Sequence, residues 1–178
     1  TLLDLIKEEI EKAKAGEETS IFLKMNSLTD RQLIDALKEA SQAGVKIKMI
    51  IRGICCILPG IEGKTDNIEV ISVVGRFLEH SRIFCFGTGE NMKMYIASAD
   101  WMTRNTENRV EIAAPIYDQK IKNSIYDTLR IMWKDNLKAR ILCSDGTYKK
   151  PEIKEGDELI DCQNYLRHEY KVGRKIKL

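Results

Sequence analysis

Strand, helix and strand follow one another within about thirty residues, and no other stretch of the chain narrows the fold as much. The apolar run Ile21–Met25 reads as a strand. Thr29 and Gln32 have the spacing of a capping box that opens a helix with Leu33, Ile34, Leu37 and Ala40 on one face. Gly44 ends that helix, and Val45–Ile51 follows as a second strand. Such a βαβ unit sets its two strands parallel, because a crossover helix returns the chain to the same end of the sheet.

The flanks extend this unit into an α/β domain whose mixed sheet is flanked by helices. Leu2, Ile6, Ile10 and Ala13 mark an opening helix with Lys12 and Lys14 in its last turn and Gly16 as its stop. Gly53 to Asp66 carries the breaks Pro59-Gly60 and Glu62-Gly63 and reads as a loop. Strand-like runs recur at Ile68–Val74, Ser81–Phe86, Lys93–Ala97 and Arg109–Ala113, with Gly87 and Gly89 as a hairpin turn. Asp118 can cap a helix whose face is Ile121, Ile125, Leu129, Met132 and Trp133. After Ala139–Leu142 the chain turns polar, with a last helix near Asp157 to Tyr170 and a basic tail over Lys171–Lys177. We therefore divide the chain into a domain over 1–150 and a helical, basic extension over 151–178.

Composition narrows the function classes. Charged residues reach 31% and hydrophobic residues 43%, enough to bury a core and too apolar for wholesale disorder. A net charge of +2 argues against bulk electrostatic capture of nucleic acid. No run approaches the ~18 apolar residues of a membrane span, and the first residues lack a secretory signal. The chain opens mid-helix without an initiator Met, as a piece of a longer protein does. Its five cysteines are odd in number and include the adjacent pair Cys55 and Cys56. With no C-x-x-C pair and two distant histidines, His80 and His168, neither a disulfide framework nor a zinc site is expected, and a reducing cytoplasm fits.

Polar residues gather at the ends of the expected strands. Lys24 and Asn26 close the first and Arg52 closes the second, at the carboxyl ends where open α/β sheets bind ligands. His80 and Arg82 precede the fourth, Ser98 and Asp100 follow the fifth, and Arg109 opens the sixth. Guanidinium groups grip phosphate oxygens two at a time, and an imidazole exchanges a proton near neutrality, so this set suits phosphoryl transfer. The competing reading pairs Arg76 and Arg82 with Glu79 and Glu69 on the surface. Lys24 and Asn26 either line a pocket or serve as helix caps and surface residues. Neither a Walker loop nor a G-x-G-x-x-G motif is present, and no D-x-D cluster offers a magnesium site.

Five segments in order, Leu23–Asp30, Ile51–Cys56, Gly75–Phe84, Ser98–Asn105 and Asn108–Ile116, resemble the last domain of the histidine-dependent bacterial polyphosphate kinases. The likeness spans Thr1 to Tyr148 and implies a phospholipase D-like fold. In that superfamily an H-x-K element precedes a small-Ser-x-Asn/Asp element; here His80-Ser81-Arg82 and Ser98-Ala99-Asp100 stand in their places. Arg82 replaces the usual Lys, and Gly87 occupies the position of the downstream Asp, a departure from the phosphodiesterase pattern. The resemblance implies reversible transfer of the terminal phosphate of ATP to inorganic polyphosphate through a phosphohistidine of an upstream domain. It assigns His80 to acid/base work and nucleotide binding, and Arg52 and Arg109 to phosphate contacts, with Arg82 as a further candidate. It also implies Mg2+ held by ligands outside this chain, contacts with upstream domains of the same polypeptide, a homo-oligomer and peripheral membrane association. Two alternatives stand beside it: a phospholipase D-like phosphodiesterase or nuclease, and a polyanion-binding module without chemistry.

Overall fold

A computed structural model describes residues 1–108 and 110–172. Its centre is the predicted βαβ unit: β1 (Ser20–Met25), α2 (Arg31–Gln42) and β2 (Lys46–Ile51), with the strands parallel and Met25 opposite Ile51. α1 (Leu2–Lys14) precedes it, closed by a reciprocal capping box between Thr1 and Asp4. α2 starts one residue later than the sequence pattern suggests. The backbone N–H of Thr29 donates to Trp101 O at 2.8 Å, and it is the side chain of Asp30 that caps the helix, accepting from the Leu33 N–H at 3.0 Å.

The sheet continues with β3 (Ile68–Val73), β4 (Ile83–Phe86), β5 (Lys93–Ala97), β6 (Ala113–Ile116), β7 (Ala139–Leu142) and β8 (Tyr148–Lys149). Its order is β6-β5-β4-β1-β2-β3-β7-β8, with β1, β2 and β3 parallel and every other neighbouring pair antiparallel. Gly87 and Gly89, both at positive φ, turn the chain between β4 and β5. The last predicted strand, Arg109–Ala113, is displaced. Residues Thr103–Asn108 form a short helix, α3, and pairing begins at Ala97 with Ala113. Pro115 sits inside β6 because β6 is an edge strand, where a missing N–H leaves no ladder bond unmade.

Side chains alternate between two cores. Ile21, Leu23 and Met25 of β1 and Ile47, Met49 and Ile51 of β2 pack under α1 and α2 with Ile6, Ile10, Leu33 and Leu37. On the other face, Phe22, Ile50, Ile71 and Cys85 meet α4 (Gln119–Trp133) through Leu129 and Met132, and α5 (Cys162–Lys171) through Leu166. Each such aliphatic side chain contributes ~1.5–3 kcal/mol on burial. Asp118 caps α4 as expected, but Ile121 in its first turn is half exposed. α5 begins at Cys162 rather than near Asp157. Ile160 instead exchanges hydrogen bonds with Asn136, and Asp161 becomes the cap. Within the extension over 151–178, Cys162 and Leu166 belong to the same core as α4. Residues 173–178 of the basic tail lie outside the described residues.

Candidate phosphoryl-transfer site

The strand directions bring one end of the sheet together. β1, β2 and β5 finish there, and the antiparallel β4 starts there, with Lys24 opposite Ile83 and Ile83 opposite Ile96. Leu28 after β1 bridges both Cys55 after β2 and Trp101 after β5, so three loops share one short ladder. Gly53 fits this crowding: its N–H donates to Asn26 O at 2.8 Å, and a Cβ there would stand 3.0 Å from the same oxygen.

A continuous chain of polar contacts runs through this end. Arg52 Nε donates to Asn26 Oδ1 at 3.0 Å, and the Asn26 N–H donates to Asp100 Oδ1 at 2.7 Å. Asp100 also receives Arg82 Nε on Oδ1 and Arg82 Nη2 on Oδ2, both at 3.2 Å. Arg82 in turn meets His80: Nη1 lies 2.9 Å from Nδ1 and Nη2 lies 3.3 Å from Nε2, while Nη1 also donates to His80 O. Asn26 and Asp100 are buried, Arg52 and Arg82 are half-buried, and His80 is exposed. A buried scaffold therefore presents two cations and an imidazole at the surface. Asn26 Nδ2 finds no partner among the described residues, a cost of ~1–3 kcal/mol for a buried donor.

Charges at the site are tuned by their partners. Burial pushes the Asp100 carboxyl up, but the Arg82 guanidinium and the backbone N–H groups of Asn26 and Ser27 outweigh it and hold it below the usual carboxylate range. Glu79 is also lowered: burial opposes ionisation, and bonds from Ser81 and Lys24 prevail. Lys24 is lowered because burial outweighs the attraction of Glu79. Its side chain is 4% exposed, and Nζ donates to Glu79 Oε1 at 3.2 Å and Ser81 O at 2.9 Å.

The structure corrects several expectations for these residues. Lys24 is neither a helix cap nor a surface residue; it lies under the His80 loop and ties it down. Glu79 pairs with Lys24 and Arg82 with Asp100, so neither joins the expected surface network with Arg76. Arg76 lies over the Phe77 ring at 5.7 Å. Ser98 turns to the β5–β6 connection, where its Oγ donates to Glu111 Oε2 and accepts from the Ile112 N–H at 3.1 Å. Arg109 lies outside the described residues. Gln163 went unnoticed in the sequence: its amide accepts from the Phe77 N–H at 2.9 Å and donates to Phe77 O at 2.8 Å, bracing the loop from α5. A separation of 86 residues left no local signal for that contact.

The site carboxylates do not suit a magnesium ion. Asp100 is engaged by Arg82 and Asn26, Glu79 by Lys24 and Ser81, and Glu111 by Ser98. No group of three potential ligands occurs among the described residues. A cavity of about 440 Å³ between β3 and β7, lined by Ile71, Trp133 and Ile141, lies away from these groups.

The model of the polyphosphate kinase C-terminal domain 2 family matches residues 1–163. The chain belongs to that family. Curated polyphosphate kinases are similar to this chain at 51% identity in Thermosynechococcus vestitus, over 87% of the chain and 21% of the relative, and at 48% in Halalkalibacterium halodurans, over 92% and 23%. The crystal structure of polyphosphate kinase from Porphyromonas gingivalis superposes with a TM-score of 0.90 at 39% identity, covering 96% of this chain and 26% of that one. The chain thus spans about a fifth to a quarter of the length of these relatives. Nuc from Salmonella typhimurium, a phospholipase D family member, aligns with a TM-score of 0.53 at 17% identity, over 83% and 90% of the two chains. That likeness is one of fold alone, and it makes the fold phospholipase D-like.

Proposed function

We propose that this domain supplies one half of the active site of an enzyme that reversibly transfers the terminal phosphate of ATP to inorganic polyphosphate. The observation that carries the reading is the polar chain from Arg52 through Asn26, Asp100 and Arg82 to His80, set at one sheet end in a polyphosphate kinase family domain. Arg52, fixed by Asn26, grips phosphoryl oxygens, and Arg109 joins it. His80 gives or takes the proton at the phosphate that leaves. The nucleophilic histidine belongs to an upstream domain, and the covalent phosphohistidine divides one difficult transfer into two easier ones. Magnesium, which offsets phosphate charge when bound, takes its ligands from outside this chain, because the carboxylates here are already paired. Cytoplasmic residence and a homo-oligomeric parent accompany this reading. Among the described residues no helix is long and apolar enough to cross a membrane.

Labelled ATP tests the reading in the full-length kinase placed around this domain. Acid-labile, base-stable label is expected on a histidine other than His80, followed by label in polyphosphate. Stoichiometric label on His80 would move the nucleophile into this domain. Hydrolysis of phosphodiesters without polyphosphate formation would replace the kinase with a nuclease.

A further inference from the structure

Arg82 has the composition of a phosphate ligand but not its freedom. Its Nε and Nη2 are bound to the two oxygens of the buried Asp100, and its Nη1 bonds to the Nδ1 and backbone O of His80. Asp100 is itself immobile, with Oδ1 receiving the Asn26 N–H and Asn105 Nδ2 donating to its backbone O at 3.1 Å. Four of the five donors' directions on this guanidinium are thereby committed inside the protein. A phosphate would have to displace a charge-assisted pair to recruit it, whereas Arg52 keeps both Nη groups unengaged by any hydrogen bond within the described residues.

We infer that Arg82 is a positioning residue, locked by Asp100, that acts on the reaction through His80 rather than by holding substrate phosphate. A guanidinium only donates, and its Nη1 and Nη2 face Nδ1 and Nε2 at 2.9 and 3.3 Å, so Arg82 sets where the His80 ring lies. Nε2 has the longer contact, 3.3 Å, and is the nitrogen held less closely and left to meet a phosphoryl oxygen. Asp100 serves both arms of the site, since it also anchors the Asn26 backbone from which Arg52 is held. The usual Lys of the superfamily pattern has neither the planar fork nor the reach to do this in two directions.

The inference rests on the kinase reading, and a double-mutant cycle in the full-length enzyme separates the two. Arg82→Ala is expected to lower kcat ~10-fold or more with the KM for ATP changed less than about 2-fold, the pattern of a lost transition-state contribution. His80→Ala/Arg82→Ala should be no slower than His80→Ala alone, because a residue acting through His80 has nothing left to act on. A rise in KM with kcat held, or losses that multiply in the double variant, would make Arg82 a substrate ligand and overturn the inference. If Arg82→Ala fails to fold, Arg82→Gln completes the same cycle with the same deciding outcomes. A His80→Ala enzyme with wild-type turnover would overturn the inference, since His80 would have no role for Arg82 to act through. Phosphodiester hydrolysis without polyphosphate formation would instead remove the kinase reading beneath it.

Discussion

Asp135 and Asp100 are buried to a similar degree, at 2% and 7% exposure, yet they spend their oxygens on different things. Asp135 accepts chiefly from backbone: the N–H groups of Leu137, Lys138 and Ala139 on Oδ1 and of Cys162 on Oδ2. It pins the turn after α4 to the start of α5, where burial and then Asp135 push the Cys162 thiol up. Asp100 is met by the backbone N–H groups of Asn26 and Ser27 and then by a guanidinium, which leads on to an exposed imidazole. Buried charge satisfied by main chain builds architecture, whereas buried charge that ends in an exposed side chain fixes how that side chain meets solvent.

Substitution separates the two carboxylates. Asp135→Ala leaves four buried or half-buried donors without their acceptor and should lower stability by about 3 kcal/mol. For a chain of this size that is roughly a 10 °C fall in Tm, read by calorimetry. Turnover per folded molecule of the full-length enzyme should be nearly unchanged. Asp100→Asn should invert the balance, costing ~1–2 kcal/mol of stability while reducing kcat ~10-fold or more. If Asp100→Asn altered stability alone, the distinction between the two aspartates would collapse.

Acid titration sharpens the same contrast. Asp100 and Glu79 are both held below the ordinary carboxylate range, so near their unfolded values of ~4 the folded chain binds fewer protons than the unfolded one. Their contribution to stability is complete above those values and is lost as pH falls through the lower folded ones. Tm measured across this range should fall less steeply for Glu79→Gln than for the wild type. An identical slope would show that the Ser81 and Lys24 bonds do not stabilise the carboxylate.

The smallest effect is expected at the adjacent cysteines. Cys56 is exposed, and burial pushes the Cys55 thiol up, away from the thiolate a nucleophile needs. Cys55→Ser/Cys56→Ser should cost ~1 kcal/mol or less and leave turnover intact. Normal folding with abolished turnover would bring the pair into the chemistry.

The legible and illegible parts of this molecule divide by range. Periodicity located β1, α2, β2, α4 and their faces, because each depends on side chains within a few positions of one another. Asp30 rather than Thr29 caps α2 where Trp101, 72 positions along, accepts from the N–H groups of both, and β6 pairs from Ala113 opposite Ala97. At the site, residue types and strand ends marked Arg52, His80 and Asp100. Their pairing was not legible: the partner of Arg82 is 18 residues away, that of Lys24 is 55 and that of Phe77 is 86. Such contacts are set by which strand ends meet, which is a property of the sheet and not of any local pattern.

His80 is where the polar chain reaches solvent, and its replacement tests the account most directly. The full-length His80→Ala enzyme should make polyphosphate from ATP ~10²–10⁴-fold more slowly, the usual loss for a general acid/base, while its Tm stays within a few degrees of the wild type. Synthesis at the wild-type rate would contradict the account, since the scaffold from Arg52 through Asp100 would then orient a side chain the reaction does not use.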